Sequence, residues 1–335
     1  MSEIKTVRTQ GTPPHIPVIE PLSIINNGTY TAPSGVDGYS PITVDVQEQP
    51  WQPLEDGYSN FWFELTDDTL SPWLNFSAKN NDAVIDWGDG SGEVALDTLT
   101  PTHTYAKAGK YVVKVKGVTG IARQHTIPYN SQYFSALQYA ELNSEISSIG
   151  AYAFSICVAL KEIRVENLSV SIANHVFYLC SSLLSTALPA NANSTTMLGA
   201  QYQACLSLTN AIIPNNIETI SNNVFTQCVG IVSITIPATV TSIGNSALQY
   251  CNSLSEIHIQ ATTPPELGTN VFSGLASNYV IYVPVGTGDT YKAAGWSAYS
   301  DHIVEEGQTL SKAALRRIQA AEKGGEASPT TEDMR

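Results

Sequence analysis

Apolar positions recur along the middle of this chain with a period of about 23 residues. Between residues 134 and 284 a bulky side chain comes first (Phe154, Phe177, Tyr202, Phe225, Leu248). Three residues on stands a cysteine: Cys157, Cys180, Cys205, Cys228 or Cys251, at spacings of 23, 25, 23 and 23. Three further on comes Leu160, Leu183, Leu208, Ile231 or Leu254, and five beyond that Val165, Leu188, Ile213, Ile236 or Ile259. A fixed period of this length predicts a solenoid, because one such unit cannot bury its apolar face until a neighbour stacks on it.

The period runs past the cysteines at both ends. Counting back 23 positions from Cys157 gives Phe134, followed by Leu137 and Leu142; counting forward, Phe272 and Leu275 fit after a one-residue slip. Val280-Ile281-Tyr282-Val283 then reads as a closing strand. About seven turns result, spaced ~4.8 Å apart, so the rod is expected to be about 30 Å long. An expanded loop is expected at Ala190–Thr196, where one period grows to 25.

The units Ile236-Pro237-Ala238-Thr239-Val240-Thr241-Ser242-Ile243-Gly244 and Asn223-Val224-Phe225-Thr226-Gln227-Cys228 resemble the BspA-like class of leucine-rich repeat. The stretch from Thr263-Pro264-Pro265 through Tyr282-Val283-Pro284 to Tyr291-Lys292 resembles that family's terminal cap. The resemblance implies a solenoid at residues 119–304, its caps included, and a role in surface adhesion or binding, not catalysis.

Ahead of the repeats the period changes. Phe61-Trp62-Phe63-Glu64-Leu65, Val84-Ile85-Asp86-Trp87 and Tyr111-Val112-Val113-Lys114-Val115-Lys116 alternate as strands do, with turn residues at Gly88-Asp89-Gly90-Ser91-Gly92 and Ala108-Gly109-Lys110. A small antiparallel sandwich is expected at 60–118. Asp86-Trp87-Gly88-Asp89-Gly90, with His103-Thr104-Tyr105 and Gly109-Lys110-Tyr111, looks like a polycystic-kidney-disease-type immunoglobulin-like domain, which implies a spacer or binding unit. Asp86 and Asp89 could also offer oxygens to calcium, but the turn itself explains both acids, since Asp bonds its own backbone there and the glycines reach positive φ. Residues 119–133 are expected to join the sandwich to the solenoid and to cap its first turn.

Further back, prolines at positions 13, 14, 17 and 21 predict an extended arm over 1–21. Residues 22–47 read as two or three short strands around Asn27-Gly28 and Asp37-Gly38, too few to make a core, so this module leans on a neighbour or trimerises. Its wording, Asn27-Gly28-Thr29-Tyr30-Thr31-Ala32-Pro33 and Gly35-Val36-Asp37-Gly38-Tyr39-Ser40-Pro41, resembles a module of tailed-bacteriophage virion proteins. At the other end, Ser311 caps a predicted helix that stops at Gly324-Gly325, followed by a flexible tail within 305–335.

Charge narrows the partners. The chain carries −14, with no basic cluster, which excludes nucleic acid. Only 14% of residues are charged against about 25% in typical domains. The shortfall is local: residues 145–304 hold eight acids and three bases. Neither a signal-type apolar run at Met1-Ser2-Glu3-Ile4-Lys5 nor a membrane-length apolar stretch is found, which predicts cytoplasmic synthesis and no membrane insertion.

Chemistry is sparse. The six histidines are scattered, and no HExxH, GxSxG, phosphate loop or dinucleotide fingerprint occurs. Asp67 and Asp68 are adjacent, so they diverge and suit no glycosidase pair. One cysteine per repeat predicts a ladder of small buried side chains, not a disulfide framework or zinc site. Tyr152, Tyr178, Tyr202 and Tyr250 fall in different registers, so some are expected to be exposed for contact.

The sequence therefore predicts a mainly β protein: a small N-terminal β module, an immunoglobulin-like sandwich, a leucine-rich-repeat solenoid and a short C-terminal helix. The expected protein is non-enzymatic, binds no cofactor or metal, and joins others of its kind as a homo-oligomer. Taken together, the resemblances imply a tailed-phage tail fibre or tip on the virion surface, attached to other virion subunits through its N-terminal region. The solenoid would then bind a host surface glycan or protein. A capsid decoration protein or head fibre, and a bacterial surface adhesin, are the alternatives.

Overall fold

The computed structural model describes residues 57–66, 71, 72, 74–123, 136–186, 194–293 and 295–325. All of them fall in one compact unit, Leu54–Arg335. The predicted arm and the 22–47 module lie outside the described residues.

Strands β1 (Tyr58–Leu65), β2 (Phe76–Asp86), β3 (Glu93–Ala95) and β4 (Gly109–Ile121) form an antiparallel sheet in the order β3-β2-β4-β1. Alternation in β1 sends Phe61, Phe63 and Leu65 into the core, where Val113 and Val115 of β4 and Ile85 of β2 meet them. The β2–β4 pairing shifts register between Lys79 and Val84. Gly117 sits opposite that irregularity with φ of 77°, and a Cβ there would lie 2.9 Å from the Ala83 backbone, so the kink needs glycine.

This sheet does not stop at residue 118. Gly120 and Ile121 at the end of β4 pair in parallel with β6 (Ser148–Ile149), while β1 pairs with β5 (Leu137–Leu142). The cap expected from residues 119–133 is thus made, among the described residues, by the two strands β4 and β1, each offering an edge to one side of the first turn. Asn143 ties the junction, its backbone N–H donating to Ser59 Oγ and its amide nitrogen to the Gly57 carbonyl. An unpaired edge attracts partners; here the first turn of the solenoid is the partner.

Each solenoid turn then has three sides. The longer strands β5, β7 (Glu162–Val165), β11 (Ser233–Ile236), β13 (Glu256–Ile259) and β15 (Val280–Val283) make one side, closed by β16 (Ile303–Glu305). Two-residue strands β6, β8 (Ser171–Ile172), β9 (Thr196–Met197), β10 (Thr219–Ile220), β12 (Ser242–Ile243) and β14 (Glu266–Leu267) make the second. Except from β7 to β11 and from β8 to β9, neighbouring strands on each side pair in parallel one turn apart, with an inward Ile, Met or Leu on each short strand. The corner between them turns at Asn143, Asn167, Pro214 and Pro237, whose carbonyls accept the N–H three residues on. Proline fits because that position needs an acceptor and no donor.

Both sheets are interrupted at the 25-residue turn. Among the described residues no ladder joins β8 to β9, and the long side keeps only the bridge Ser185–Asn210. Thr186 fills part of the gap: its hydroxyl accepts from Ile212 N–H at 2.7 Å and donates to the Ile212 carbonyl at 3.0 Å.

The far end is closed by α1 (Gly288–Ala293) and the 3-10 turn Ser297–Tyr299. Trp296 and Tyr291 are fully buried there, with indole Nε1 donating to the Pro265 carbonyl and the Tyr291 hydroxyl to that of Ala261. Helix α2 (Lys312–Gly325) starts at the predicted cap, Ser311 Oγ accepting from Ala314 N–H at 3.1 Å. It is held by Ala314, Ile318 and the Arg317–Asp301 ion pair, whereas Leu315 is exposed.

Candidate ligand-binding edge

The third side of each turn carries the cysteines. The rings that precede them stack along the axis: Phe154 on Phe177, Phe177 on Tyr202 and Tyr202 on Phe225, with centroids 5.5–5.8 Å apart and planes within 10°. Each thiol from Cys180 onward donates to the carbonyl of the ring residue one turn back, at 3.0–3.2 Å. All five cysteines are free and buried. Burial pushes every thiol up, Cys157 and Cys251 to about 12, because a thiolate there would lose its water. The native protein is therefore expected to leave a disulfide-based thiol reagent unreacted at pH 8, with five equivalents titrating only after denaturation. One or more fast equivalents in the native state would contradict the buried ladder.

To turn back over this core, the backbone enters the left-handed region twice per turn. The sites are five residues and one residue before each cysteine: Tyr152 and Ile156, His175 and Leu179, Ala200 and Ala204, Asn223 and Gln227, Ser246 and Tyr250. Asn270 and Gly274 repeat the pair in the next turn. Left-handed backbone costs an L-residue roughly 1–2 kcal/mol, and a branched residue such as Ile156 most of all. His175, Asn223, Asn270 and Gly274 are residue types that favour this region; Ile156, Leu179 and Tyr250 are not, and there the conformation emerges only from the stacking.

The residues flanking each cysteine form a groove along the axis. Ile156 and Val158, Leu179 and Ser181, Ala204 and Leu206, Gln227 and Val229, Tyr250 and Asn252 line it in successive turns, enclosing about 590 Å³. Five turns at ~4.8 Å give it a length of about 19 Å. Leu206 is 46% exposed and Tyr250 49%. Large exposed side chains in a row are the unusual feature, since single ones occur on any surface. The backbone amides here are already used between turns: Ile156, Leu179, Ala204, Gln227 and Tyr250 donate to carbonyls of the following turn at 2.8–2.9 Å.

The segments that build this side carry no charge of their own, though Arg123, just beyond β4, donates to buried Ser155 Oγ at 3.1 Å in the first turn. Over six turns, residues 150–160, 173–183, 198–208, 221–231, 244–254 and 268–278 contain no Asp, Glu, Lys or Arg. The eight acids of the repeat region sit instead on the strands, the corners and the cap. That column of missing charges was the available sequence signal for the edge.

The other sequence candidates distribute as follows. Tyr250 is on the groove; Tyr152 and Tyr178 are half-buried on the same side, with Tyr152 stacked on His175 at 4.6 Å. Tyr202 is core, and its hydroxyl reaches the Thr186 carbonyl. Asp86 and Asp89 each accept from a backbone N–H two residues on, at 2.9 and 3.0 Å. The bonds from Ser91 and the neighbouring His103, 2.9 Å from its other oxygen, hold the Asp89 carboxyl down at about 2. His103 stacks on Trp87, and Tyr105 donates to the Trp87 carbonyl, so the acids brace an aromatic turn.

The repeats match the family described as the BspA type leucine-rich repeat region, in six copies across residues 125–198 and 195–292. The chain belongs to the BspA-type leucine-rich repeat family. This family match indicates a repeat protein and no enzymatic family. Among solved structures the chain is similar to a leucine-rich cell surface protein from Faecalibacterium prausnitzii, at 18% identity and a TM-score of 0.35 over 65% of this chain and 57% of that one. It is similar to a leucine-rich repeat protein from Bacteroides ovatus, at 17% identity and a TM-score of 0.29 over 62% of this chain and 71% of that one. A leucine-rich repeat protein of T. pallidum matches at 17% identity and a TM-score of 0.29, over 61% and 77%. The match thus spans little more than half of the Faecalibacterium protein's length. No curated protein matches the chain. No described helix is long and apolar enough to cross a membrane.

Proposed function

We propose that this BspA-type repeat protein is a non-enzymatic adhesin, displayed at a cell surface and meeting its partner through the cysteine-side edge. The observation that carries the reading is the uncharged edge itself: six turns without an ionic side chain, grooved and lined by exposed Leu206 and Tyr250, on a chain of −14. Apolar exposure along an ordered, rigid surface suits recognition, because little entropy is lost on binding. Repeats of this type are typical of surface adhesins. A homo-oligomer would multiply weak single-site binding through avidity.

Beads coated with the full chain are expected to adhere to cultured epithelial cells or intact bacteria, and to lose that adherence when Leu206→Asp places a charge in the groove. Leu206 is exposed, so the variant keeps its fold. Equal adherence of both proteins would overturn the edge as the contact surface.

A second setting for the same surface is supported by the module at 22–47 and the Asp86-Trp87-Gly88-Asp89-Gly90 turn. These resemble tailed-phage virion and polycystic-kidney-disease-type sequences. In that setting residues 1–47 attach a tail fibre, tail tip or head decoration to its particle, 60–118 serve as a spacer, and the solenoid still faces outward. Gold-labelled antibody against the solenoid, applied to intact phage particles and to cells, separates the two settings.

A further inference from the structure

We infer that the groove binds a neutral, linear glycan, laid along the solenoid axis with one sugar ring stacked on Tyr250. This rests on the adhesion reading above and names the partner class for its site.

Charge decides first what the groove excludes. With no cation in its lining, an anionic glycan, a phosphate-rich polymer or an anionic membrane gains no ion pair and meets a chain of −14. A cationic ligand gains no local carboxylate either. An uncharged ligand alone matches an uncharged lining, because neither side must strip water from an ion on contact.

Hydrogen-bonding capacity then separates a glycan from a polypeptide strand. Strand addition needs a free row of backbone N–H and C=O groups, and no such row is left here, since the N–H groups of Ile156, Leu179, Ala204, Gln227 and Tyr250 bond between turns and those of Val158, Ser181 and Val229 within a turn. What remains to the ligand is side-chain amide and hydroxyl. Gln227 and Asn252 flank Tyr250, both exposed. With its amide assigned so that the nitrogen faces the Tyr250 and Gly274 carbonyls, at 3.1 and 2.6 Å, Asn252 turns its oxygen outward to accept. Primary amides on either side of an aromatic ring match a sugar, whose C–H face packs on the ring while its hydroxyls both donate and accept.

The seat of the ring points the same way. A Cβ on Gly274 would lie 2.3 Å from Tyr250 Cδ1, so the ring, 49% exposed, rests against the glycine. Tyr250 itself is left-handed at φ 60°. Ile156, Leu179 and Tyr250 hold large side chains at a position whose backbone favours glycine, and the equivalent position in the next turn is glycine. The aliphatic stretch from Ile156 to Val229 then offers a periodic apolar floor for the further sugars of a repeating polymer.

The test uses the full chain and hexasaccharides of glucose, mannose and N-acetylglucosamine, with a uronic acid hexamer as the anionic comparison, in calorimetric titration. At least one neutral oligomer is expected to bind, with little change between 50 and 500 mM salt (on the order of a tenfold range, across which exposed ionic contacts are screened). Tyr250→Ala and Gln227→Ala are each expected to weaken that binding about tenfold or more, while Thr235→Ala, on the long-strand side, leaves it unchanged. Binding of the uronic hexamer alone, or no neutral binding at millimolar concentration while beads still adhere through the Leu206 edge, overturns the glycan and leaves the adhesin reading standing. Loss of adherence altogether removes both.

Discussion

Trp296→Ala is expected to cost about 3–5 kcal/mol, the range for removing a large buried aromatic side chain, and to loosen the C-terminal turns first. The indole is fully buried, packs 5.7 Å from Phe272 and 5.3 Å from Tyr291 between ring centroids, and donates to Pro265. Pro265 leads into β14, the last short strand, so the indole covers the end of that side. In a stack of repeats, stability is a sum of unit and interface contributions, and an end without its cap leaves an apolar cross-section in water. The variant should therefore lose hydrogen-exchange protection in β13, β14 and β15 while β5 and β7 keep theirs. A destabilisation under about 1 kcal/mol in urea titration, or protection lost evenly along the rod, would show that α1 and its neighbours do not act as a cap.

Much of this architecture was legible. The 23-residue register assigns Phe177, Cys180 and Leu183 to the interior, and all are buried at 0–1% exposure. It was legible because the same demand is made five times, so one ambiguous residue cannot hide the pattern. The N-terminal junction was not. A strand reads the same whether its edge faces water or the first turn of a solenoid, and the pairing of Gly120 with Ser148 depends on nothing local to either. The groove was half legible: Tyr250 stood out by falling off the aromatic register, but Ile156 and Leu179 fall outside the positions that the register marks. They are displaced outward because a left-handed backbone turns the chain just before each cysteine. Trp296 carried no periodic signal at all, since a cap occurs once.

The ring ladder should reveal where the rod is weakest. Phe177→Ala removes a fully buried ring stacked between Phe154 and Tyr202, for an expected loss of about 3–5 kcal/mol. Phe225→Ala removes an equally buried ring of the same ladder, so the two losses should be similar in size. Their consequences should differ. Around Phe225 the ladders β10–β12 and β11–β13 run unbroken on both other sides, and the rod should still unfold in one transition. Beside Phe177 both sheets are interrupted, and the two halves are joined by the cysteine side, the Thr186 contacts and the bridge at Ser185. There the bonds from His175, Phe177 and Leu179 to Gly199, Gln201 and Gln203 carry the continuity that strands carry elsewhere. Weakening that side at Phe177 should split unfolding into two steps, with the turns from Ser194 onward melting apart from those attached to the N-terminal sheet. Circular dichroism against urea, followed by exchange at the midpoint, distinguishes the outcomes. A single transition for both variants would mean that the long turn couples its neighbours as tightly as any other.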